Sequence, residues 1–185
     1  RGGFLTSLKK NGKDYLIGAL KPNYYRALTD NDIDFLNFVP PLIPFHPLYI
    51  WRSSSKSLKA SKIFVHLYSH GALVETTVSA QAMKNVKIIY NIYPDGKIDV
   101  KHQGTPIMDM VRFGTVLTMP REFDSVKWYG KGPHENYIDR RVGARIALHE
   151  MSVADMEHHY MRPQENGHRT DVRYMEIRNA EGEGL

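Results

Sequence analysis

From about residue 63 onward the chain breaks into short runs rich in β-branched and aromatic residues, bounded by Gly, Pro, Asn or Asp. Side chains of that kind suit a pleated, half-buried surface, so the runs predict strands over 63–69, 72–82 and 86–93. Pro94-Asp95-Gly96 then supplies a turn into a strand over 97–103. There Ile98, Val100 and His102 alternate with Lys97, Asp99 and Lys101, leaving one face at least partly apolar and the other wet. Further strands are predicted over 110–119, 123–129, 142–150, 152–160 and 171–177. Upstream, apolar runs at 4–8 and 15–20 flank Asn11-Gly12, the dipeptide that most favours a tight hairpin because both positions tolerate φ > 0. The stretch 21–62 reads as a long connection, with Pro40, Pro41, Pro44 and Pro47 excluding regular strand and a short helix predicted near 51–58.

Short strands at regular spacing, without a long amphipathic helix, predict an all-β protein: a large antiparallel β-sandwich in one domain over 1–185, with its main strands over 63–180. A sandwich seldom leaves its newest strand unpaired at an edge, and 180–185 is small and acidic. More chain is therefore expected after Leu185, and a start at Arg1 rather than Met reads as an excised piece.

Composition narrows the classes. With 42% hydrophobic and 24% charged residues the chain has the makeup of a folded globular domain rather than a disordered one. No apolar run approaches the roughly 18 residues that span a bilayer, so no membrane partner is expected. The net charge of +5 raises nucleic acid as a partner. Its basic residues are scattered, however: the densest part, Lys56 to Lys62, holds three lysines among Ser, Leu and Ala, with no basic helix, and nucleic-acid binding is set aside. The absence of cysteine excludes disulfides and thiolate metal sites and suits a cytoplasmic location.

Two segments concentrate chemistry. Trp128-Tyr129-Gly130-Lys131-Gly132-Pro133-His134-Glu135-Asn136-Tyr137-Ile138-Asp139-Arg140 reads as one loop in which Gly130 and Gly132 permit φ > 0 and Pro133 sets the next turn. Pro163-Gln164-Glu165-Asn166-Gly167-His168-Arg169 repeats its Pro-x-Glu-Asn and again reaches an arginine. Two such loops at one end of a scaffold either clamp one another or hold a polyhydroxylated ligand. A third polar segment, Arg26 to Asp34, carries Asp30, Asn31 and Asp32. These could face a hard cation, but consecutive polar residues lack the spacing of a calcium loop and are ordinary turn formers.

Tyr25-Arg26-Ala27-Leu28-Thr29-Asp30-Asn31-Asp32, the Trp128–Arg140 segment and Pro163–Arg169, in that order, resemble the C-terminal small-chain domain of the large bacterial β-galactosidases of glycoside hydrolase family 2. The likeness covers nearly the whole chain; Leu28 stands where that family usually has proline. What the resemblance implies is a galactose-mutarotase-like supersandwich, truncated at its C-terminal end, beside a catalytic TIM barrel that is absent here. The nucleophile and acid/base glutamates, and bound Mg and Na, would belong to that barrel, leaving this chain with no catalytic residue, no cofactor and no metal of its own. Its partners would be the barrel domain or large subunit of the same oligomeric enzyme and a β-galactoside such as lactose. The loop of Arg26, Asp30, Asn31, Asp32 and Asp34 would border the active-site mouth, with Arg26 anchored through Asp30 or Asp32.

The residues allow a direct check on catalysis. Retaining hydrolysis needs two carboxyl groups about 5–5.5 Å apart, one ionised and one protonated. Glu135 and Glu165 have matching contexts, each followed by Asn and then Arg, so nothing drives their proton affinities apart; ion pairs with Arg140 and Arg169 that pin the loops explain them equally well. His158 and His159 are adjacent and would point to opposite faces of a strand, unsuited to sharing one ion. Trp51, Trp128 and Tyr129 could stack on a sugar ring or pack a core. Two other classes stay open: an independent carbohydrate-binding module, and an aldose-epimerase-like sandwich.

Overall fold

A computed structural model describes residues 2–33, 47–161 and 164–185. The predicted passage through Pro40, Pro41 and Pro44, together with Asp34 and Pro163, lies outside the described residues. The chain is all-β and antiparallel, of sandwich type, and its contacts divide it into two compact units. The first comprises Arg1–Ser7 and Gly18–Thr118, the second Leu8–Ile17 and Met119–Leu185.

The first unit is built on a four-stranded meander of β4 (Lys59–Tyr68), β5 (Gly71–Ala80), β6 (Met83–Ile92) and β7 (Ile98–Pro106), in sheet order β4-β5-β6-β7. A second ladder pairs β3 (Gly18–Asn23) with β8 (Gly114–Thr118). Two short helices, α1 (Asp30–Ile33) and α2 (Ile50–Lys56), complete the unit. Strand β3 runs past the expected end of the opening hairpin and includes Pro22, which is buried.

The core gathers Leu20, Tyr24, Trp51, Val78, Ala82, Met83, Val86, Ile88 and Tyr90. In β6 the inward residues are Met83, then Val86, Ile88 and Tyr90, which breaks strict alternation. A register shift against β7 between Lys84 and Lys87 accounts for it, and Asn85 there takes φ 54°. One extra residue at a bulge flips every side chain beyond it to the other face.

The serine run beside Trp51 has a function invisible in the sequence. Ser54 Oγ accepts the Ala82 amide at 2.9 Å, and Ser55 Oγ accepts the Tyr24 amide at 2.9 Å, so two adjacent residues of a short helix satisfy amides of neighbouring segments. Trp51, fully buried, donates its indole N–H to the Asp109 carbonyl at 2.8 Å.

In the second unit, β1 (Lys9–Lys10) and β2 (Lys13–Asp14) close the Asn11-Gly12 hairpin, with φ of 52° and 79° at the turn. The hairpin ladder is far shorter than the apolar runs suggest, because the second run leaves it to enter β3. A three-stranded sheet of order β10-β9-β11 follows, from β9 (Ser125–Gly132), β10 (Arg145–Ser152) and β11 (Tyr174–Arg178). Val126 and Trp128 are buried apolar side chains of β9, and Tyr15 packs on Phe123 with ring centroids 5.2 Å apart. The strand expected over 152–160 is not formed. Ser152 and Asp155 exchange hydrogen bonds, Oγ to Oδ2 at 2.7 Å and amide to Oγ at 3.1 Å, and Ala154–Met156 is a 3-10 turn. Such local side-chain bonds compete with ladder formation. Among the described residues no helix is long and apolar enough to cross a membrane.

Replacing Ser54 by Ala strands the buried Ala82 amide, and should cost about 1–3 kcal/mol in urea unfolding. Ser53→Ala, whose hydroxyl bonds only its own helix at Ile50, should change stability by less than about 0.5 kcal/mol. Equal effects of the two would refute the pinning role.

Candidate functional site

Arg26 and Asp32 form a two-pronged ion pair in the first unit: Nη1 to Oδ2 at 2.5 Å and Nη2 to Oδ1 at 3.1 Å. Asp32, one of the two predicted anchors, thus holds Arg26. The same carboxylate accepts the Thr29 amide and the Thr29 hydroxyl, each at 2.8 Å, and Nη1 also reaches the Ala27 carbonyl at 3.0 Å. Burial alone would raise the Asp32 pKa, but the hydrogen bonds from Arg26 and Thr29 outweigh it and hold the carboxyl below its ordinary value. Asp30 opens α1, and Asn31 is exposed on it. Leu28, where the resemblance led to an expected proline, is 5% exposed and packs with Leu48, Tyr49 and Val111. Its buried side chain ties down the segment that the proline ring would otherwise stiffen.

The second unit brings the two Pro-x-Glu-Asn segments together, but not as equals. The Glu135 carboxylate and the Asn136 side-chain oxygen turn inward and accept from the Gly167 and Thr170 amides. Glu135 Oε2 accepts the Gly167 amide at 2.7 Å; Oε1 accepts Arg140 Nη2 at 2.5 Å and the Tyr160 hydroxyl. Arg140 also contacts the Tyr160 hydroxyl, and its guanidinium lies 4.8 Å from the centre of the Tyr137 ring. Asn136, 1% exposed, accepts the Thr170 amide and hydroxyl on Oδ1 at 2.9 and 2.6 Å and donates Nδ2 to the His134 carbonyl at 3.0 Å. Its own amide donates to the His168 carbonyl at 2.8 Å, and its carbonyl lies 2.9 Å from His168 Nδ1. Tyr137 and His168 stack at 4.9 Å.

The segment beginning at Trp128 is not a loop as far as Gly132, since 128–132 belongs to β9. Nor do Gly130 and Gly132 take positive φ; in this region Gly167 does, at 78°. Both glycines serve close approach instead. A Cβ on Gly130 would lie 2.8 Å from Val172 Cα, and one on Gly132 would lie 2.8 Å from His149 Cδ2 and 2.9 Å from Trp128 Cζ2. Pro133 follows Gly132 through a cis bond.

Arg169 lies 5.4 Å from the centre of the Trp128 ring and bonds the Gly167 carbonyl at 2.9 Å and Met151 Sδ at 3.4 Å. Burial lowers its pKa, with the charge of Glu135 acting in the opposite sense. Glu165 and Asn166 are half-buried, and Asp139 is exposed. Trp128 and Trp51 are buried core residues, whereas Tyr129 is 40% exposed. His158 and His159 are exposed but lie outside any strand. Among the described residues no cluster of three or more His, Asp or Glu is placed to hold a metal.

Tyr160 and Thr170 complete the site and went unread in the sequence. Thr170 adjoins the second segment and could have been reached by extending it one residue. Tyr160 carried no signal, because it arrives from an irregular stretch. Chemically Glu135 is fully engaged: its oxygens receive donors from Arg140, Tyr160 and Gly167, which suits a rigid scaffold rather than proton transfer.

The chain matches the beta-galactosidase small chain family over residues 1–184 and belongs to that family. It is 32% identical over 190 residues to a beta-galactosidase of Priestia megaterium (strain DSM 319 / IMG 1521), covering all of this chain and 18% of that protein. A beta-galactosidase of Halalkalibacterium halodurans is 31% identical, with 99% of this chain and 18% of that protein covered. With a beta-galactosidase of Arthrobacter sp. (strain B7) identity reaches 41% over 66 residues, 36% of this chain. The chain thus spans less than a fifth of the length of the first two relatives.

Two outcomes follow from this geometry. Asn136→Ala removes the acceptor for the Thr170 amide and should lower unfolding stability by about 1–3 kcal/mol; an unchanged urea midpoint would show that the seam carries no load. For Asp32, the folded pKa lies below the unfolded value of about 3.9, so its contribution is complete above that pH and is lost as pH falls through the folded pKa. Unfolding measured from pH 7 down to 2 should show wild type converging on Asp32→Asn in the acid range; a constant gap would contradict it.

Proposed function

We propose that this chain is a non-catalytic part of a β-galactosidase that hydrolyses terminal β-D-galactosides, shaping and supporting an active site whose acids lie on a separate barrel. The observation that carries this reading is the family match over residues 1–184 alongside coverage of only 18% of full-length relatives. The chemistry of the loops agrees with it. A retaining glycosidase needs one carboxyl to attack and another to pass a proton, and Glu135 is instead bound by Arg140, Tyr160 and Gly167 within its own unit.

The Arg26–Asp32 clamp supplies positioning. A planar guanidinium gripping both carboxylate oxygens fixes direction as well as distance, which lysine cannot do. In this reading the clamp sets the path of the loop at Asn31, at the mouth of the barrel, where it orients sugar and excludes water. Mg and Na, if the whole enzyme uses them, belong with the barrel, and the working form is an oligomer in the cytoplasm.

In the complete enzyme, Arg26→Ala should lower kcat/KM by about 10- to 100-fold, the range in which mispositioning acts, while the fold persists. Wild-type kinetics and thermal stability would remove the clamp from the mechanism. The 185-residue chain alone should neither cleave an aryl galactoside, nor bind galactose or lactose in calorimetry, nor speed mutarotation. Cleavage would overturn the reading; binding or mutarotation would replace it with a sugar-binding module or an epimerase.

A further inference from the structure

The four-stranded sheet of the first unit ends on two unlike edges. Strand β7 carries Asp99, Lys101 and Gln103 and stops at Pro106, devices that discourage another strand from adding. Strand β4, at the opposite edge, is ten residues long, and among the described residues no strand pairs with its outer side. A bulge between Ala60 and Lys62 disrupts its beginning. From Ile63 to Tyr68 the strand has no proline, no Asp, Glu, Lys or Arg, and an unbroken register with β5.

Both faces of that stretch are open. Ile63, Val65 and Leu67 on one face are 54%, 56% and 75% exposed, and Phe64 on the other is 62% exposed. An exposed apolar edge without proline or charge over these six residues is a template for another strand. The segment itself carries one sign: residues 50–74 contain Arg52, Lys56, Lys59 and Lys62 and not one Asp or Glu, and Glu75, opposite Phe64 on β5, is already paired with Lys87 at 2.7 Å. Neither Lys59 nor Lys62 has an ion pair among the described residues.

Charge decides between occupants. A second copy would bring another net +5 and the same lysine-bearing edge, so self-pairing is opposed. An acidic strand is favoured, and relatives that extend well beyond the 18% matched here have chain to supply one. We propose that the outer edge of β4 receives an extended strand from the remainder of the β-galactosidase, apolar opposite Ile63–Tyr68 and bearing Asp or Glu opposite Lys59 and Lys62. Main-chain hydrogen bonds would give the affinity, and the alternating side chains and end charges the register. The proposal rests on the reading of this chain as part of such an enzyme.

Residue-resolved amide hydrogen exchange on the complete enzyme and on the 185-residue chain tests it, with β6 amides as the standard for folding. The outward-pointing amides of 63–68 should exchange at least about 100-fold more slowly in the complete enzyme than in the chain alone. The double variant Lys59→Glu, Lys62→Glu should reduce that protection while β6 stays protected. Fast exchange in both samples overturns the proposal, as does protection unaffected by the double variant. Protection in the chain alone that grows with its concentration assigns the edge to a second copy and also overturns it. Galactoside cleavage by the same complete enzyme is read in parallel: exposed β4 amides in an active enzyme refute only the strand addition, whereas an inactive enzyme refutes the underlying functional reading.

Discussion

A backbone amide withdrawn from water needs an acceptor, and leaving one without costs about 1–3 kcal/mol. In this protein the segments between strands meet that demand with side-chain oxygens. Ser54 and Ser55 serve Ala82 and Tyr24, Asp32 serves Thr29, Glu135 serves Gly167, and Asn136 serves Thr170. Each pairing ties a turn or helix to a segment that strand ladders do not reach. Polar residues that look like surface chemistry in the sequence are thereby used to hold the polypeptide in place.

The same constraint separates the roles of the two polar sites. In the second unit Glu135 and Asn136 are turned inward and their acceptors are taken by Arg140, Tyr160, Gly167 and Thr170, so the motif that looks most like an active site is a seam. In the first unit Asp32 is held by Arg26 and Thr29, and Leu28 is buried beside Leu48 and Val111, while Asn31 stays exposed. A short polar segment gripped at its base, with an exposed residue on its first helical turn, is what the proposed positioning role requires. That distinction depends on burial and direction, which residue type alone does not carry.

Much of the strand framework could be read directly. The hairpin at Asn11-Gly12 follows from the tolerance of those residues for φ > 0. The meander from β4 to β7 follows from β-branched runs separated by turn residues, and α2 from the absence of a period of two around Trp51. Boundaries were less legible where local bonds won: Ser152 and Asp155 close on each other at the start of 152–160, where a separate strand was expected. The glycines of β9 were legible as special, but for the wrong reason. Their φ is ordinary for a strand, and it is Val172, His149 and Trp128 that leave no room for a Cβ.

Residue order by itself determined the all-β class, the approximate strands and the kinship carried by the motifs, because alternation, turn chemistry and side-chain type act over a few neighbours. Tertiary structure alone decided that Asp32 grips Arg26, that Glu135 and Asn136 of the first segment turn inward onto Gly167 and Thr170, and where the β6 bulge reverses the faces. The seam partners lie 32 and 34 residues apart along the chain, and even Arg26 and Asp32 are six apart. No local rule contains that distance; only the folded backbone, by bringing such groups within about 3 Å of one another, selects among the acceptors the sequence offers.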